Sequence, residues 1–169
     1  MNFLGTHDTI RILTALGGEP EGNHTNAELA NLHMTPEARE SACKSLVLAY
    51  AILAAMPGVP SVFYGDEAGL TGILEEEYRQ PMPWDTLDES SPLFLLYQKA
   101  IALRKRERTL RRGEYRTLLA EPGSRVYGYE RYLEEDGVVE SVRFFLNMEE
   151  EIVTLPEELL GGEILWQEG

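Results

Sequence analysis

The stretch MPGVPSVFYGDEAGLTG, residues 56–72, holds a helix stop, a short buried run and a glycine-flanked acidic turn in immediate succession. Pro57-Gly58 ends whatever helix precedes it, and Pro60-Ser61-Val62-Phe63-Tyr64 is a mostly apolar run that fits a strand buried on both faces. Upstream, Thr35-Pro36 offers a cap followed by a first-turn proline, and starts a long helix over 36–55 that is apolar nearly all round in its second half. Downstream, 65–90 shows little regular pattern. Ser91-Pro92 then opens a helix in which Leu93, Leu96, Tyr97, Ala100, Ile101 and Leu103 recur at helical spacing. Helix, tight loop, buried strand and helix make the rhythm of an α/β fold.

Nearer the start, NFLGTHDTIRIL (2–13) reads as a strand stub leading into a short helix that carries Ile10, Leu13 and Leu16. Asp8 or Thr9 is its expected cap, and Gly17-Gly18 its stop. Residues 18–34 read as loop with one helical turn. From Arg111 onward the pattern changes to short strands, expected at 114–119, 126–133, 138–147, 152–155 and 164–166, with Asp136-Gly137 as a hairpin turn. The chain therefore divides into an α/β region, 1–110, and a small antiparallel β domain, 111–169.

Composition narrows the partners. With 29 acidic against 15 basic residues the net charge is −14, which repels nucleic acid and anionic membranes. Seven of the basic residues crowd into 104–116. They fall at a helix C-terminus, where cations suit the dipole, and lack the interleaved aromatics of a nucleic-acid surface. The single Cys43 cannot form an internal disulfide and reads as a small buried hydrophobe. The apolar run 46–56 is too short to span a bilayer, and no basic-then-apolar leader is visible. The compartment stays open, with the cytoplasm as the default.

Several residues are equipped for chemistry. His7-Asp8 reads either as a helix cap, with Arg11 pairing locally to Asp8, or as a pair projected from the C-terminal end of a parallel strand, where α/β barrels carry their catalytic groups. Asp66-Glu67 follows the second buried run and reads either as solvated or structural, or as an acid and a base, although adjacent loop residues diverge easily. In RQPMPWD, 79–85, a proline-stiffened loop holds Arg79, Trp84 and Asp85. Such a tryptophan stacks on a sugar or fills a gap in the core, and composition alone favours the gap.

Taken together and in order, NFLGTHDTIR (2–11), MPGVPSVFYGDEAGLTG (56–72), RQPMPWD (79–85) and SSPLFLLYQKAIALRKRERTLRRGEYRTLLA (90–120) resemble the C-terminal part of glycoside hydrolase family 13, the α-amylase family. The likeness leans towards its neopullulanase and cyclomaltodextrinase branch, because a small hydroxyl residue, Thr6, stands where the commonest form of the motif has asparagine. The resemblance implies a fold: the last two βα units of a (β/α)8 TIM barrel, followed by a β-sandwich. Phe3-Leu4 would end the seventh barrel strand, 36–55 form its helix, 61–64 the eighth strand and 92–108 the last barrel helix.

It also implies roles. Asp8 is expected to be the catalytic stabiliser that binds the 2- and 3-hydroxyls, His7 to bond sugar hydroxyls at the cleavage subsite, and Arg79 and Trp84 to bind substrate. Hydroxyl bonds that tighten as the ring flattens towards an oxocarbenium ion lower the barrier. The sequence departs from the family at 73–78, which lacks the Asp-Pro often found before the arginine, and at Gln80, which replaces a frequent arginine. The nucleophile and general acid of the family lie on earlier strands, absent from this chain, so the chain alone is expected to be inactive. The expected partner is an α-glucan or maltooligosaccharide, with no cofactor or metal, no nucleic acid and no membrane. A second function class is a non-catalytic glucan-binding or assembly module, with Tyr115, Tyr127, Tyr129, Tyr132 and Trp166 as a stacking platform. Unpaired barrel edges would favour self-association.

Overall fold

The computed structural model describes residues 1–18 and 23–167, so part of the loop expected at 18–34 and the last two residues of the tail lie outside the described residues. The chain forms two compact units, Met1–Ala54 with Gly58–Ala102, and Ala55–Pro57 with Leu103–Gly169.

In the first unit, α1 (Ile12–Leu16) begins later than its apolar spacing suggests, with Arg11 in the cap position and no side-chain cap. Neither expected cap is available. Thr9 Oγ1 accepts from the Thr6 amide at 2.9 Å and donates to the Thr6 carbonyl at 3.2 Å, while the Asp8 carboxylate is drawn to Arg79. The helical turn expected in the next loop is α2 (Asn26–Leu29), closed by a reciprocal box between Thr25 and Glu28. The longer helices start as read. Thr35 Oγ1 accepts from the Ala38 amide at 3.2 Å and opens α3 (Pro36–Ala55). After the one-turn α4 (Glu75–Tyr78), Ser91 Oγ accepts from the Phe94 amide at 3.3 Å and opens α5 (Pro92–Arg106).

Ala42, Leu46, Tyr50 and Leu53 line one face of α3 and are buried with Leu93, Leu96, Tyr97 and Ala100 of α5. The Tyr50 and Tyr97 rings stack with centroids 3.9 Å apart. Cutting Leu46, fully buried, to alanine removes about 2–5 kcal/mol of packing.

The strand expected at 61–64 does not form. The stub and the run share one parallel bridge, Asn2 with Pro60, made by Asn2 N to the Val59 carbonyl and Ser61 N to the Asn2 carbonyl, both 2.8 Å. A strand is held by ladder partners. Beyond this bridge the carbonyl of Tyr64 goes to the Arg11 guanidinium, and the chain turns at Gly65, whose φ of +89° lies in the left-handed region.

In the second unit, α6 (Arg108–Arg112) leads into β1 (Glu114–Leu119), β2 (Val126–Glu135) and β3 (Val138–Asn147), an antiparallel sheet in the order β1-β2-β3. The β2–β3 hairpin turns at Asp136-Gly137 as read, with φ of +52° and +77°. The sheet buries Tyr129 against Ala55 and Leu110, with Met56, Leu103, Tyr115, Tyr127, Val142 and Phe144 around them.

The strands expected at 152–155 and 164–166 are absent, and the described residues contain this one sheet and no sandwich. Asn147 turns the chain out of β3 by donating to the Glu151 carbonyl at 2.8 Å and accepting from the Glu149 amide at 2.9 Å. Pro156 and Gly161-Gly162 then divide the apolar residues into runs too short to pair, around a single 3-10 turn, Glu157–Leu159. Ile152 stays 98% exposed.

Candidate functional site

A tight turn presents His7 and Asp8. The Thr6 and Thr9 hydroxyls lock its backbone, and Thr6 Oγ1 also accepts from the Asp8 amide at 3.2 Å. Both oxygens of the Asp8 carboxylate are engaged. Oδ1 takes Arg79 Nη2 at 2.8 Å and Oδ2 lies 3.1 Å from His7 Nε2. Arg79 Nε donates to the His7 carbonyl at 2.8 Å, and Nη1 pairs with Glu75 Oε1 at 2.5 Å, one turn back on α4. The structure thus brings three of the expected site residues, His7, Asp8 and Arg79, into one network. It remains open to solvent, with 69%, 65% and 44% of the respective side chains exposed.

The local pairing of Arg11 with Asp8 does not occur. Arg11 turns inward, where Nη1 donates to the Tyr64 carbonyl at 2.5 Å and to Asp66 Oδ1 at 3.2 Å. Its guanidinium lies over the rings of Phe63 and Tyr64, at 4.2 and 4.9 Å. An arginine beside an exposed and a buried carboxylate gains more from the buried one, where water screens less. Asp66 is therefore structural. Burial pushes its carboxyl up to about 6 despite the opposing pull of Arg11, and the nearby Glu67 adds to the rise. Glu67 turns back to accept from the Gly65 amide at 2.9 Å, while Asp66 is taken up by Arg11.

Trp84 is not brought into the network. It lies in a turn closed by its own amide on the Met82 carbonyl and is 75% exposed, which overturns the gap-filling reading. The tail tyrosines form no open platform. Tyr129 is fully buried between Tyr115, Tyr127 and Phe144, and the Tyr115 and Tyr127 hydroxyls bond each other. Tyr132 donates to Glu114 at 2.7 Å, and Trp166 is half-buried. Cys43 is half-buried on α3 rather than sealed in the core. Among the described residues no group of three or more His, Cys, Asp or Glu side chains is placed to hold a metal ion, and no helix is long and apolar enough to cross a membrane.

No protein-family model matches the chain. Individual proteins do. An amylopullulanase of Thermoanaerobacter thermohydrosulfuricus is 35% identical over 120 residues, 71% of this chain and 8% of that protein. A cyclomaltodextrinase of Geobacillus thermopakistaniensis is 30% identical over 155 residues, 92% of this chain and 22% of that one. A solved cyclomaltodextrinase structure superposes with a TM-score of 0.62 at 29% identity, over 86% of this chain and 20% of its own.

The chain belongs to the α-amylase family.

Within that family it matches a C-terminal portion of the cyclomaltodextrinase and neopullulanase branch. It spans about a quarter or less of the curated relatives it matches.

Three contributors to the network escape a reading by motif. Glu75 anchors Arg79, Gln80 Nε2 donates to the Thr71 and Glu77 carbonyls at 2.7 Å each, and the Tyr64 hydroxyl donates to the Gln80 carbonyl at 2.8 Å. The i,i+4 spacing of Glu75 and Arg79 was a usable signal. Nothing local signals the Tyr64 contact, which closes across sixteen residues.

Proposed function

We propose that this chain is the sugar-gripping C-terminal portion of an α-glucan glycoside hydrolase, with 1–110 as the last two βα units of a TIM barrel and 111–169 as its β domain. Asp8 is the transition-state stabiliser, His7 a sugar ligand, and Arg79 and Trp84 substrate-binding residues. The observation that carries this reading is the Asp8 carboxylate, exposed on a locked turn and oriented on both oxygens by Arg79 and His7, in a chain of this family. A carboxylate has about four acceptor sites. Asp8 can hold both partners and still accept two sugar hydroxyls. Those bonds strengthen as the ring flattens, and the fixed guanidinium keeps the carboxylate aimed while they do.

Hydrolysis with retention requires two carboxyl groups about 5 Å apart on either side of the bond. Asp66 is buried against Arg11, Glu67 is turned onto the Gly65 amide and Asp8 is engaged by Arg79, so the nucleophile and acid/base belong to other parts of a longer polypeptide, and the chain by itself binds glucan without cleaving it. Purified chain incubated with maltooligosaccharides, cyclodextrins and pullulan should release no reducing sugar. Maltoheptaose should bind it in calorimetry, and Asp8→Asn should abolish that binding. Turnover that co-purifies with the chain overturns the inactivity, and unchanged binding by Asp8→Asn overturns the role of Asp8. Self-association belongs to the same reading. Met1, Phe3 and Val59 are 81%, 50% and 66% exposed around the single parallel bridge, and a monomer in light scattering at micromolar concentration would remove this part.

A further inference from the structure

We propose that Gln80 and Tyr64 are positioning residues that aim Arg79 at the Asp8 carboxylate. The inference rests on the reading of Asp8 as a sugar-binding group and adds to it the device that fixes the orientation of that group.

Arg79 has a choice of partners. Glu75 lies on its own helical turn, and Asp8 lies 71 residues away in sequence. Exposed ion pairs are individually weak, and a long side chain loses rotamer freedom when it is held. An arginine free to move would fold back on the local glutamate and leave Asp8 uncovered. Nor can α4 hold Arg79 in place by itself, since an isolated turn of Glu75–Tyr78 is far below the length at which a helix is self-supporting.

Gln80 supplies the missing support. Its side-chain amide bridges the Thr71 and Glu77 carbonyls, which ties the C-terminal end of α4 to the incoming loop. Its main-chain carbonyl accepts from the Tyr64 hydroxyl. Tyr64 is anchored in turn, because its own carbonyl takes Arg11 Nη1, and Arg11 is buried against Asp66. A continuous path therefore runs from the buried Arg11, through Tyr64 and the Gln80 backbone, to the adjacent Arg79. With its backbone pinned, Arg79 reaches the His7 carbonyl with Nε, Asp8 with Nη2 and Glu75 with Nη1 at once.

The test reads Arg79 directly. In nitrogen-15-labelled chain, the exchange of the Arg79 Nε–H with water reports whether its bond to the His7 carbonyl persists, and Arg79→Lys identifies the signal by its loss. Tyr64→Phe, which deletes one oxygen, and Gln80→Leu, which deletes the amide, should each speed that exchange roughly three- to tenfold, the equivalent of one hydrogen bond. Maltoheptaose affinity should fall by a similar factor. Gln80→Arg, which keeps donors long enough for both carbonyls, should restore slow exchange. If Gln80→Leu does not fold, Tyr64→Phe decides alone. Exchange unchanged in folded Tyr64→Phe overturns the proposal. If exchange responds as expected while the unaltered chain binds no sugar, the positioning stands and the sugar-binding reading falls.

Discussion

Arg11 in the first unit and Arg131 in the second are 1% and 2% exposed, and the protein accommodates these two buried cations differently. Among the described residues Arg131 has no carboxylate partner. Its Nη1 donates to the Ala55 and Leu110 carbonyls at 2.7 and 3.0 Å, Nη2 to Gly113 at 2.6 Å, and Nε to Glu114 at 3.2 Å. The first three lie at the C-terminal ends of α3 and α6, where the last carbonyls lack helical donors and carry the negative end of the dipole, and the fourth opens β1. One planar fork satisfies them all. Arg11 instead has a formal counter-charge in Asp66, one carbonyl and two aromatic faces, while its Nε and Nη2 reach no acceptor among the described residues. An ion pair in a dry site is thus less completely satisfied than a cation among helix-end carbonyls. Geometric fit to donors counts for more than matching charge.

The largest effect should come from breaking the better-satisfied site. Arg131→Met leaves four carbonyls without their donor, and about 3–5 kcal/mol is expected, enough to unfold the sheet unit of a marginally stable chain. Hydrogen exchange of β2 amides would show it as loss of protection. Arg11→Met should cost less, about 2–3 kcal/mol, because Asp66 can take up a proton and two of the lost donors had no acceptor. Denaturant midpoints of the two variants check the order. If Arg11→Met proves the more damaging, the comparison fails.

Asp66 sharpens the comparison through pH. Its folded-state value of about 6 lies above the ordinary 3.8, so the folded chain holds a proton there that the unfolded chain has released. Between those two values stability therefore falls as pH rises, the reverse of the usual behaviour of a salt-bridged carboxylate. The part due to Asp66 is complete below pH 4 and lost above pH 6, and amounts to about 2–3 kcal/mol. Asp66→Asn removes this dependence. The stability of the unaltered chain relative to Asp66→Asn should drop between pH 4.5 and 7, and a flat difference would mean that Asp66 titrates as an ordinary carboxylate. Arg131, with only carbonyl partners, contributes no such slope in that range.

The same contrast explains what was legible in the sequence. Helix starts at Thr35-Pro36 and Ser91-Pro92, and the turn at Asp136-Gly137, are set by residues within four positions of one another, and all three form as read. The runs at 61–64, 152–155 and 164–166 have strand composition, but pairing depends on a distant partner, and composition does not supply one. Asp8 and Arg79 were legible as candidates through the family motifs. Their mutual pairing, and the desertion of Asp8 by Arg11 for Asp66, are contacts across 71 and 55 residues that no local pattern encodes. Trp84 misled for a related reason: composition places tryptophans inside, whereas the turn around Met82 holds this one out. Trp84→Ala should accordingly change stability by no more than about 0.5 kcal/mol, while weakening maltoheptaose if the proposed function holds.

An effect of the opposite sign probes a lapse in the carbonyl-satisfied unit. Tyr129 is fully buried beside Arg131 on the same strand, and its hydroxyl has no hydrogen-bond partner among the described residues. Burial raises that phenol well above its ordinary value, so it stays neutral throughout the working range of pH. The ring itself is well used, tilted against Tyr115 and Tyr127 and stacked on Phe144 at 5.1 Å. Tyr129→Phe keeps those contacts and removes only a desolvated polar group that nothing repays. The change should therefore be neutral or stabilising by up to about 1 kcal/mol, read as an equal or higher midpoint in urea. A loss of more than that would mean the hydroxyl has an acceptor after all, most simply an internal water, and the second unit would then be satisfied throughout, which widens its contrast with the orphaned nitrogens of Arg11.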